Sequence, residues 1–354
     1  MLKYGIIGSG QMGSEHILSL RAIPGIEIVA IADPNEKSRE LASLMLGPDN
    51  QTTFFDNHND LLSSGLCDAV VIATPNMTHE HLVIEAMRQN IHILVEKPLS
   101  TTLKGCDNII KETATSNSLV WVGMEYRFMP AISRLISMSQ EGFAGDLHMI
   151  SMQEHRFPFL DKVNNWNRFN ENTGGTLVEK CCHFFDLMRL IAGCEAISVF
   201  ASGGRDVNHL NESYSGMTPD ILDNAFVVVN FEHSIRAMLD LCMFAEGSED
   251  EHRVSVVGDR GKISISLPSN TISYGKRTEG RQGVVKEQLS SSDAKYVGFH
   301  HGSTYFEHLA FQRAILENER PKVSVEDGYK AVAIGIAAEL SIKEGKPITL
   351  ANLY

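Results

Sequence analysis

The chain has 354 residues, of which 43% are hydrophobic and 21% charged, and this composition excludes a disordered chain. At roughly 150 residues per domain, the length predicts about two domains. Its formal net charge of −13 argues against nucleic acid as a partner, because phosphate backbones bind basic surfaces. No apolar run approaches the roughly 20 residues that span a bilayer, so we expect no membrane partner.

The cysteines and the amino terminus bear on the cellular compartment. Six cysteines are too few for a disulfide scaffold in a chain of this length, and no two stand at Cys-x-x-Cys spacing. The first residues carry no basic segment followed by an apolar segment and a cleavage site, which is the pattern of a secretory signal. We therefore expect a cytoplasmic protein with reduced thiols.

Short apolar runs alternate with segments of helical spacing through the first 125 residues. The predicted strands span residues 2–7, 26–32, 69–73, 91–95 and 119–123, and the predicted helices span residues 11–22, 36–46, 79–88 and 103–114. This alternation, with its short connections, predicts a parallel sheet covered by helices on both faces. The fold class of this half is therefore α/β, a doubly wound Rossmann sheet.

Strand-like runs follow one another in the second half, which predicts antiparallel hairpins. The predicted strands span residues 146–156, 197–201, 225–231, 235–244, 253–257 and 262–267, and the predicted helices span about 173–192, 304–316 and 326–343. Residues 275–292 are polar and uneven, which predicts a flexible loop. We place the domain boundary near Tyr126, which gives domains of residues 1–125 and 126–354.

A glycine-rich turn follows the first strand and opens the first helix; it consists of Gly8, Ser9, Gly10, Gln11, Met12 and Gly13. In such a turn the first glycine permits a tight bend, the second lets backbone approach a pyrophosphate, and the third allows close helix packing. Asp33 ends the second strand, where a carboxylate accepts hydrogen bonds from ribose hydroxyls and repels a 2′-phosphate. The pattern predicts NAD as the cofactor, with NADP open because Lys37 and Arg39 are close in sequence.

Two further loops follow predicted strands of this sheet, at the edge where ligands bind in doubly wound folds. Thr74 and Asn76 lie in the first of them, which either contacts the cofactor or is a proline turn with Thr78 as a helix cap. The second loop carries Glu96, Lys97 and Pro98. A lysine fixed there would stabilise negative charge on a substrate oxygen, although a plain surface lysine fits the local sequence as well.

One polar stripe marks the helix predicted over residues 173–192. Glu179, His183 and Asp186 stand at spacings of four and three, which places them on one helical face. A carboxylate beside an imidazole suits general acid/base chemistry, whereas the alternative is an ordinary solvated pair. We expect no metal site at Cys181 and Cys182, because adjacent helical side chains point about 100° apart and no second ligand pair stands at zinc spacing.

Several other residues are candidates for substrate binding. Arg127 and Trp166 lie near the predicted domain junction, and Trp166 fits a plain core position equally well. His301 stands in a loop before the helix that carries Tyr305, where a solvated loop histidine is the competing interpretation.

Taken together, the glycine turn, Asp33, the Thr74 loop, the Glu96–Pro98 segment and the glycine-led helix with Glu179 and His183 resemble the glucose–fructose oxidoreductase and inositol dehydrogenase family (Gfo/Idh/MocA). The resemblance covers essentially the whole chain. It implies an N-terminal Rossmann domain and a C-terminal α/β domain with a large, mostly antiparallel sheet. It also implies a homodimer or homotetramer formed through that sheet.

The resemblance implies hydride transfer between NAD or NADP and a secondary alcohol or carbonyl of a sugar or cyclitol. Lys97, preceding a cis-proline bond, would hold the reacting oxygen, and His183 would be the general base. Glu179 stands where the family usually has Asp, and it would orient the substrate or the imidazole. Lys180 departs from the small residues usual there, which favours an acidic or phosphorylated substrate unless it points away and pairs with a carboxylate on the helix. The alternatives are an NAD-dependent glycosidase and a non-catalytic NAD-sensing regulator.

Overall fold

The computed structural model describes residues 1–289 and 293–353, which form two compact units. The first unit comprises Met1–Phe128 together with Ser291–Tyr329, and the second comprises Met129–Ser290 together with Lys330–Tyr354. This division differs from our expectation that residues 126–354 form one domain, since the chain returns to the first unit. The reason is that the returning segment carries a helix that packs against the first helix of the chain.

The first unit is built on one sheet of six parallel strands. They are β1 (Leu2–Ile7), β2 (Ile26–Ala32), β3 (Thr53–Phe55), β4 (Ala69–Ile72), β5 (His92–Glu96) and β6 (Val120–Gly123). Their order is β3-β2-β1-β4-β5-β6. Ile7 pairs with Ala32 of β2 and with Ile72 of β4, so the residues that follow these strands emerge along one edge. Ligands of doubly wound sheets bind at this edge, where the strand order reverses.

Five helices connect these strands: α1 (Gln11–Arg21), α2 (Glu36–Leu46), α3 (His58–Ser63), α4 (His79–Arg88) and α5 (Leu103–Thr113). Asn35 caps α2 by accepting a hydrogen bond from Ser38 N (3.2 Å), and Thr102 caps α5 in the same way. Strand side chains such as Ile6 and Val71 are fully buried beneath the helices. None of the helices in the described part of the chain has the length and apolar character needed to cross a membrane.

The second unit is built on a mixed sheet of nine strands. Its elements, with the returning helix, are α6 (Pro130–Gln140), β7 (Leu147–His155), α7 (Asn170–Thr173), α8 (Thr176–Glu179), α9 (Cys182–Ala192), β8 (Ala196–Gly204), β9 (Asn224–Phe231), β10 (Arg236–Cys242), β11 (His252–Gly258), β12 (Gly261–Leu267), β13 (Thr271–Lys276), β14 (Val285–Gln288), α10 (Ser303–Leu316), α11 (Val325–Glu344) and β15 (Ile348–Thr349). The strand order is β14-β13-β12-β11-β7-β10-β9-β8-β15. The pairs are antiparallel except β7 with β10, which confirms the mostly antiparallel sheet. Burial alternates along β9, so one sheet face is buried and the other exposed.

Two sequence expectations were wrong in detail. The helix expected over residues 173–192 is divided into α7, α8 and α9: Gly174 and Gly175 take positive φ values between α7 and α8, and a turn at Lys180 and Cys181 separates α8 from α9. The loop expected over residues 275–292 contains the end of β13 and β14, which pairs with β13 as an added antiparallel strand. Residues 290–292 of that range lie outside the described residues.

Candidate functional site

The glycine turn between β1 and α1 has the geometry of a phosphate cradle. Gly8 has a φ of +89°, and a Cβ on it would lie 2.5 Å from the carbonyl oxygen of Ala73. A Cβ on Gly13 would lie 2.1 Å from the carbonyl oxygen of Gly8, so α1 packs closely on the turn. By contrast, a Cβ on Gly10 would meet no atom of the described residues within 4 Å. The turn therefore leaves open space at the helix N-terminus, where a pyrophosphate is bound.

Asp33 is 9% exposed and its carboxylate faces the glycine turn. Its Oδ2 accepts hydrogen bonds from Ser9 N (2.7 Å) and Ser9 Oγ (3.3 Å), and its Oδ1 accepts one from Asn35 N (2.8 Å). Arg39 donates to the backbone oxygen of Asp33 (2.5 Å), so a cation lies beside the carboxylate. Three hydrogen bonds therefore hold the Asp33 carboxylate beside the glycine turn, at the end of β2.

The loop after β4 brings a second polar group to this edge. Asn76 is 5% exposed, and its Nδ2 has no hydrogen-bond partner among the described residues. The Thr78 hydroxyl does not cap α4; it bonds instead to Thr74 Oγ1 (2.6 Å) and to the oxygen of Pro75 (2.7 Å). A buried amide donor without a protein acceptor is a position at which a ligand oxygen fits.

His79, which sequence reasoning did not single out, joins the two loops that follow β4 and β5. Its Nδ1 lies 2.7 Å from the oxygen of Pro98, and its Nε2 lies 3.1 Å from the oxygen of Thr74. Burial lowers the pKa of His79, although the two carbonyl contacts act in the opposite direction. A neutral imidazole carries one N–H, so one of these two contacts is a hydrogen bond. His79 thereby fixes the loop containing Thr74 against the turn containing Pro98.

Lys97 follows β5 directly, and its peptide bond to Pro98 is cis. The preceding Glu96 is buried, and its carboxylate accepts hydrogen bonds from His16 Nε2 (3.0 Å) and from Lys97 N (3.2 Å). Burial favours the neutral acid, but His16 and Lys97 lower the pKa of Glu96 below its ordinary value. His16 Nδ1 in turn lies 2.8 Å from Nε2 of His308 on α10. The segment that carries Lys97 is therefore anchored to α1 and α10 through ionised Glu96.

In the second unit, Gly174 and Gly175 lead into α8 with φ values of +83° and +99°. A Cβ on Gly175 would lie 2.4 Å from Oε1 of Glu339, which accepts a hydrogen bond from Leu177 N (3.0 Å). Glu179 ends α8, and His183 lies in the first turn of α9. The side chains of Glu179 and His183 and that of Asp186 are all buried, so the solvated-pair interpretation of this stripe is excluded.

Lys180 lies at the break between α8 and α9 and forms an ion pair with Glu154 of β7 (Nζ–Oε1, 2.9 Å). Glu154 is fully buried. The lysine thus pairs with a carboxylate, as one of the two sequence interpretations allowed, although that carboxylate lies on a strand. Its ammonium charge is held inside the second unit next to Glu179.

The remaining sequence candidates lie in different settings. Arg127 donates to the oxygen of Lys322 (2.6 Å) and pairs with Asp327 (3.3 Å), both in the first unit. His301 is half-buried with a φ of +55°, and Tyr305 is 4% exposed within α10. Trp166 is half-buried in a short 3₁₀ segment of the second unit. The structure thus brings together the glycine turn, Asp33, Asn76 and Lys97 along one sheet edge, and separately Glu179, Lys180 and His183.

The described residues contain no group of three or more His, Cys, Asp or Glu side chains placed to hold a metal ion. Cys181 and Cys182 are buried free thiols. Burial raises the pKa of Cys181 well above its ordinary value, so it is a neutral thiol and not a thiolate ligand.

A parallel sheet of this order, with a glycine turn at the N-terminus of α1, is typical of a dinucleotide-binding Rossmann unit. Residues 2–124 match the family description "Oxidoreductase family, NAD-binding Rossmann fold", and residues 140–350 match "Oxidoreductase family, C-terminal alpha/beta domain". The chain belongs to this family, Gfo/Idh/MocA, and the resemblance and fold class expected from its motifs are confirmed. The NAD-binding assignment is confirmed by the same match.

Individual relatives share the whole length of the chain. It is 28% identical to myo-inositol 2-dehydrogenase of Thermotoga maritima over 356 residues, covering 99% of this chain and 98% of the relative. The crystal structure of a probable dehydrogenase from Thermotoga maritima superposes with a TM-score of 0.82 at 26% identity, covering 100% of both chains. Levoglucosan dehydrogenase in complex with NADH and levoglucosan superposes with a TM-score of 0.86 at 20% identity, covering 98% of each chain. This last likeness establishes a shared fold.

Proposed function

We propose that the protein is a dehydrogenase that transfers a hydride between NAD and a secondary alcohol or carbonyl of a sugar, cyclitol or related polyol. The observation that carries the proposal is that Glu179, at the end of α8, and His183, in the first turn of α9, are both buried and follow the Gly174–Gly175 turn. A buried carboxylate and imidazole need a chemical role to offset their desolvation. The myo-inositol dehydrogenase relative supports the substrate class.

The first unit holds the cofactor. The glycine turn and the N-terminus of α1 would receive the pyrophosphate, Asp33 the adenosine ribose, and Asn76 a further polar group of the cofactor. When bound, NAD supplies or accepts the hydride. Asp33 favours NAD over NADP, because its carboxylate repels a 2′-phosphate.

Lys97 is the proposed anchor for the reacting oxygen. Its position is fixed by the end of β5 and by the hydrogen bond of its own N–H to buried Glu96. An ammonium group in a fixed position stabilises negative charge that develops on a substrate oxygen, at no cost of reorganisation during the reaction.

His183 is the proposed general base. An imidazole takes the proton of a hydroxyl near neutral pH, and a nearby carboxylate would stabilise the protonated ring that results. Glu179 is proposed to supply that carboxylate or to orient the substrate. Its side chain is one methylene longer than that of the aspartate usual in the family, which displaces the carboxylate by about one bond length.

The test is an absorbance screen of NADH formation with sugars, cyclitols and sugar acids, using both NAD and NADP. We expect His183→Ala to lower kcat by roughly 100-fold or more while NADH binding, followed by fluorescence, stays as in the wild type. His233→Ala replaces an exposed histidine of the second unit and is the matched control. Equal activity of the wild type and His183→Ala removes His183 from this role.

A double-variant cycle tests whether Lys97 and His183 serve one reaction. If both act on the same reacting oxygen, His183→Ala adds little to the loss already caused by Lys97→Met, because groups that act as a unit are non-additive. Release of aryl groups from glycosides without net NADH would favour an NAD-dependent glycosidase. NADH binding without turnover of any polyol would favour an NAD-sensing regulator.

We further propose that the nine-stranded sheet forms a homodimer or homotetramer. Large apolar side chains line its exposed face on three adjacent strands: Phe200 on β8, Phe226 and Val228 on β9, and Met238 on β10. Phe226 is 62% exposed, and an apolar patch of this kind is typical of an interface. Phe226→Asp should shift the mass measured by light scattering toward the monomer, and an unchanged mass would exclude this face.

Cytoplasmic location is the remaining part of the proposal. All six cysteines are free thiols, three of them buried, which fits a reducing compartment. Fractionation of cells that express the tagged chain tests it, and recovery outside the cytosol would contradict it.

A further inference from the structure

A cluster of charged side chains surrounds the buried end of β7. Glu154 Oε1 lies 2.9 Å from Lys180 Nζ, 3.3 Å from Arg156 Nη1 and 3.6 Å from His252 Nε2. Burial opposes ionisation of Glu154, but Lys180, His252 and Arg156 hold its pKa well below the ordinary value, so it is a carboxylate. Lys180 and Arg156 therefore share the single carboxylate of Glu154; the shorter contact is that of Lys180, which leaves the Arg156 guanidinium as the less compensated charge.

Two atoms of this cluster lack hydrogen bonds. Among the described residues, neither Arg156 Nε nor Glu154 Oε2 has a partner, although both atoms are buried. A buried charged group with an unmade hydrogen bond is costly. The two side chains form an ion pair through Arg156 Nη1 and Glu154 Oε1 (3.3 Å), so the orphan donor and the orphan acceptor belong to one ion pair. A ligand that satisfies both atoms offers an acceptor, such as an anionic oxygen, to Arg156 Nε and a neighbouring hydroxyl donor to Glu154 Oε2.

The cluster adjoins the segment that carries the proposed base. Lys180 directly follows Glu179 in the chain. The ring of Phe184, the residue after His183, lies 5.8 Å from the ring of His252. Arg156 directly follows β7 and precedes the connection of residues 157–169 that leads to α7. All of these residues belong to the second unit.

We propose that Arg156, with Glu154 and Lys180, forms a subsite for a hydroxyl and a neighbouring anionic group of the substrate, so that the substrate is an acidic sugar. The anionic group is a carboxylate, as in a sugar acid, or a phosphate ester; both offer oxygen acceptors to the guanidinium. The inference rests on the proposed dehydrogenase function and narrows its substrate class. A neutral polyol offers hydroxyl groups to both orphan atoms but no counter-charge to the Arg156 guanidinium, which shares Glu154 with Lys180.

The first experiment compares kcat/KM of the wild type for matched substrates: glucose, gluconate, glucuronate, glucose 6-phosphate and myo-inositol. We expect at least one acidic sugar to exceed its neutral counterpart by about tenfold or more. Comparing the carboxylates with the phosphate ester identifies the anion. A preference for the neutral sugars overturns the subsite.

Variants then localise the effect. Arg156→Gln should raise KM for the acidic sugar by about 10-fold to 100-fold, the effect of losing a charge-assisted hydrogen bond, and leave KM for neutral sugars within about twofold. Arg156→Lys should restore part of the difference, because it keeps the charge but not the planar fork. Arg253→Gln removes the same charge from the exposed face of β11 and is the matched control. Equal effects of Arg156→Gln on both substrate types overturn the proposal.

A last measurement separates this inference from the function on which it rests. Thermal stabilisation of the NAD-loaded wild-type protein by gluconate or glucose 6-phosphate, measured beside glucose, reports binding without turnover. Stabilisation by the acidic sugars alone supports the subsite even if no hydride transfer is found, in which case only the dehydrogenase proposal fails. Equal stabilisation by glucose overturns the subsite even if the enzyme is active.

Discussion

Alanine at Gly10 and at Gly13 should have opposite consequences, although the two residues stand in one turn. At Gly13 the new Cβ would lie 2.1 Å from the carbonyl oxygen of Gly8, and contacts under 3.0 Å essentially never occur. At Gly10 the Cβ would point into open space, and the backbone φ of −68° suits any residue. We therefore expect Gly13→Ala to damage folding and Gly10→Ala to damage cofactor binding.

The magnitudes follow from these distances. Ordinary contact begins near 3.4 Å, so the Gly13 Cβ overlaps backbone by more than 1 Å, and a backbone atom cannot rotate away as a side chain can. Overpacking of this kind costs about 3 kcal/mol or more, which lowers the Tm of a unit of this size by roughly 6–12 °C. Gly10→Ala should leave the Tm unchanged or raise it slightly, because alanine lowers the conformational entropy of the unfolded chain. This effect stabilises the folded state by about 0.4–1 kcal/mol.

The assay pairs thermal melts with NADH titrations followed by fluorescence. For Gly10→Ala we expect a wild-type melting curve and a Kd for NADH raised by about tenfold or more, equivalent to about 1.4 kcal/mol. For Gly13→Ala we expect the lower Tm. Wild-type NADH affinity in Gly10→Ala would refute the assignment of the open space to the pyrophosphate, and a wild-type Tm in Gly13→Ala would refute the close-packing argument.

Three further perturbations test the fold around the site. Burial raises the pKa of Glu339 to about 7, above its unfolded value, so the wild type loses stability as pH rises through about 4.5 to 7 and this carboxyl ionises. Glu339→Gln should therefore have a free energy of unfolding up to about 3 kcal/mol above that of the wild type at pH 8, and equal to it below pH 4. Parallel pH profiles of the two proteins in denaturant melts would contradict this. Asp33→Ser should weaken NADH about 10-fold to 100-fold and narrow the gap to NADPH, because it removes a charged acceptor that repels the 2′-phosphate; an unchanged ratio of the two Kd values would count against Asp33. His79→Leu should cost about 1–3 kcal/mol, because it leaves a buried carbonyl of Thr74 or Pro98 without its donor, and a wild-type Tm would show that the imidazole does not join these loops.

The architecture of the first unit was largely predictable, because its information is local. The predicted bounds of β1, β2, α2 and α4 match the structure. Buried parallel strands are continuous apolar runs, and the helices between them carry clear spacing and caps. Strand β3 was missed because three residues, Thr53–Phe55, are too few to show a period. The cofactor edge was predictable for the same reason: each of its groups directly follows a strand.

The second unit was predictable only in part, because its polar cluster depends on strand register. Glu154 and His252 stand opposite each other where β7 pairs with β11, nearly a hundred residues apart in the chain. No local pattern links them, and Lys180 next to Glu179 looks like a solvated helical residue until its partner is known. The break between α8 and α9 likewise has no local sequence signal, since it contains no glycine or proline. It coincides with Lys180, the residue that pairs with Glu154.

The contact of His16 on α1 with His308 on α10 bears on how such proteins can be recombined. The first unit is completed by a segment that follows eight of the nine strands of the second sheet, so a gene fused to a relative at a single crossover near residue 128 would join α1 to a foreign α10. His16, which bonds to Glu96, and His308, which contacts His16, would then come from two different parent proteins. Exchange of nucleotide-binding halves between members of this family therefore calls for two crossovers, one on each side of the intervening sheet.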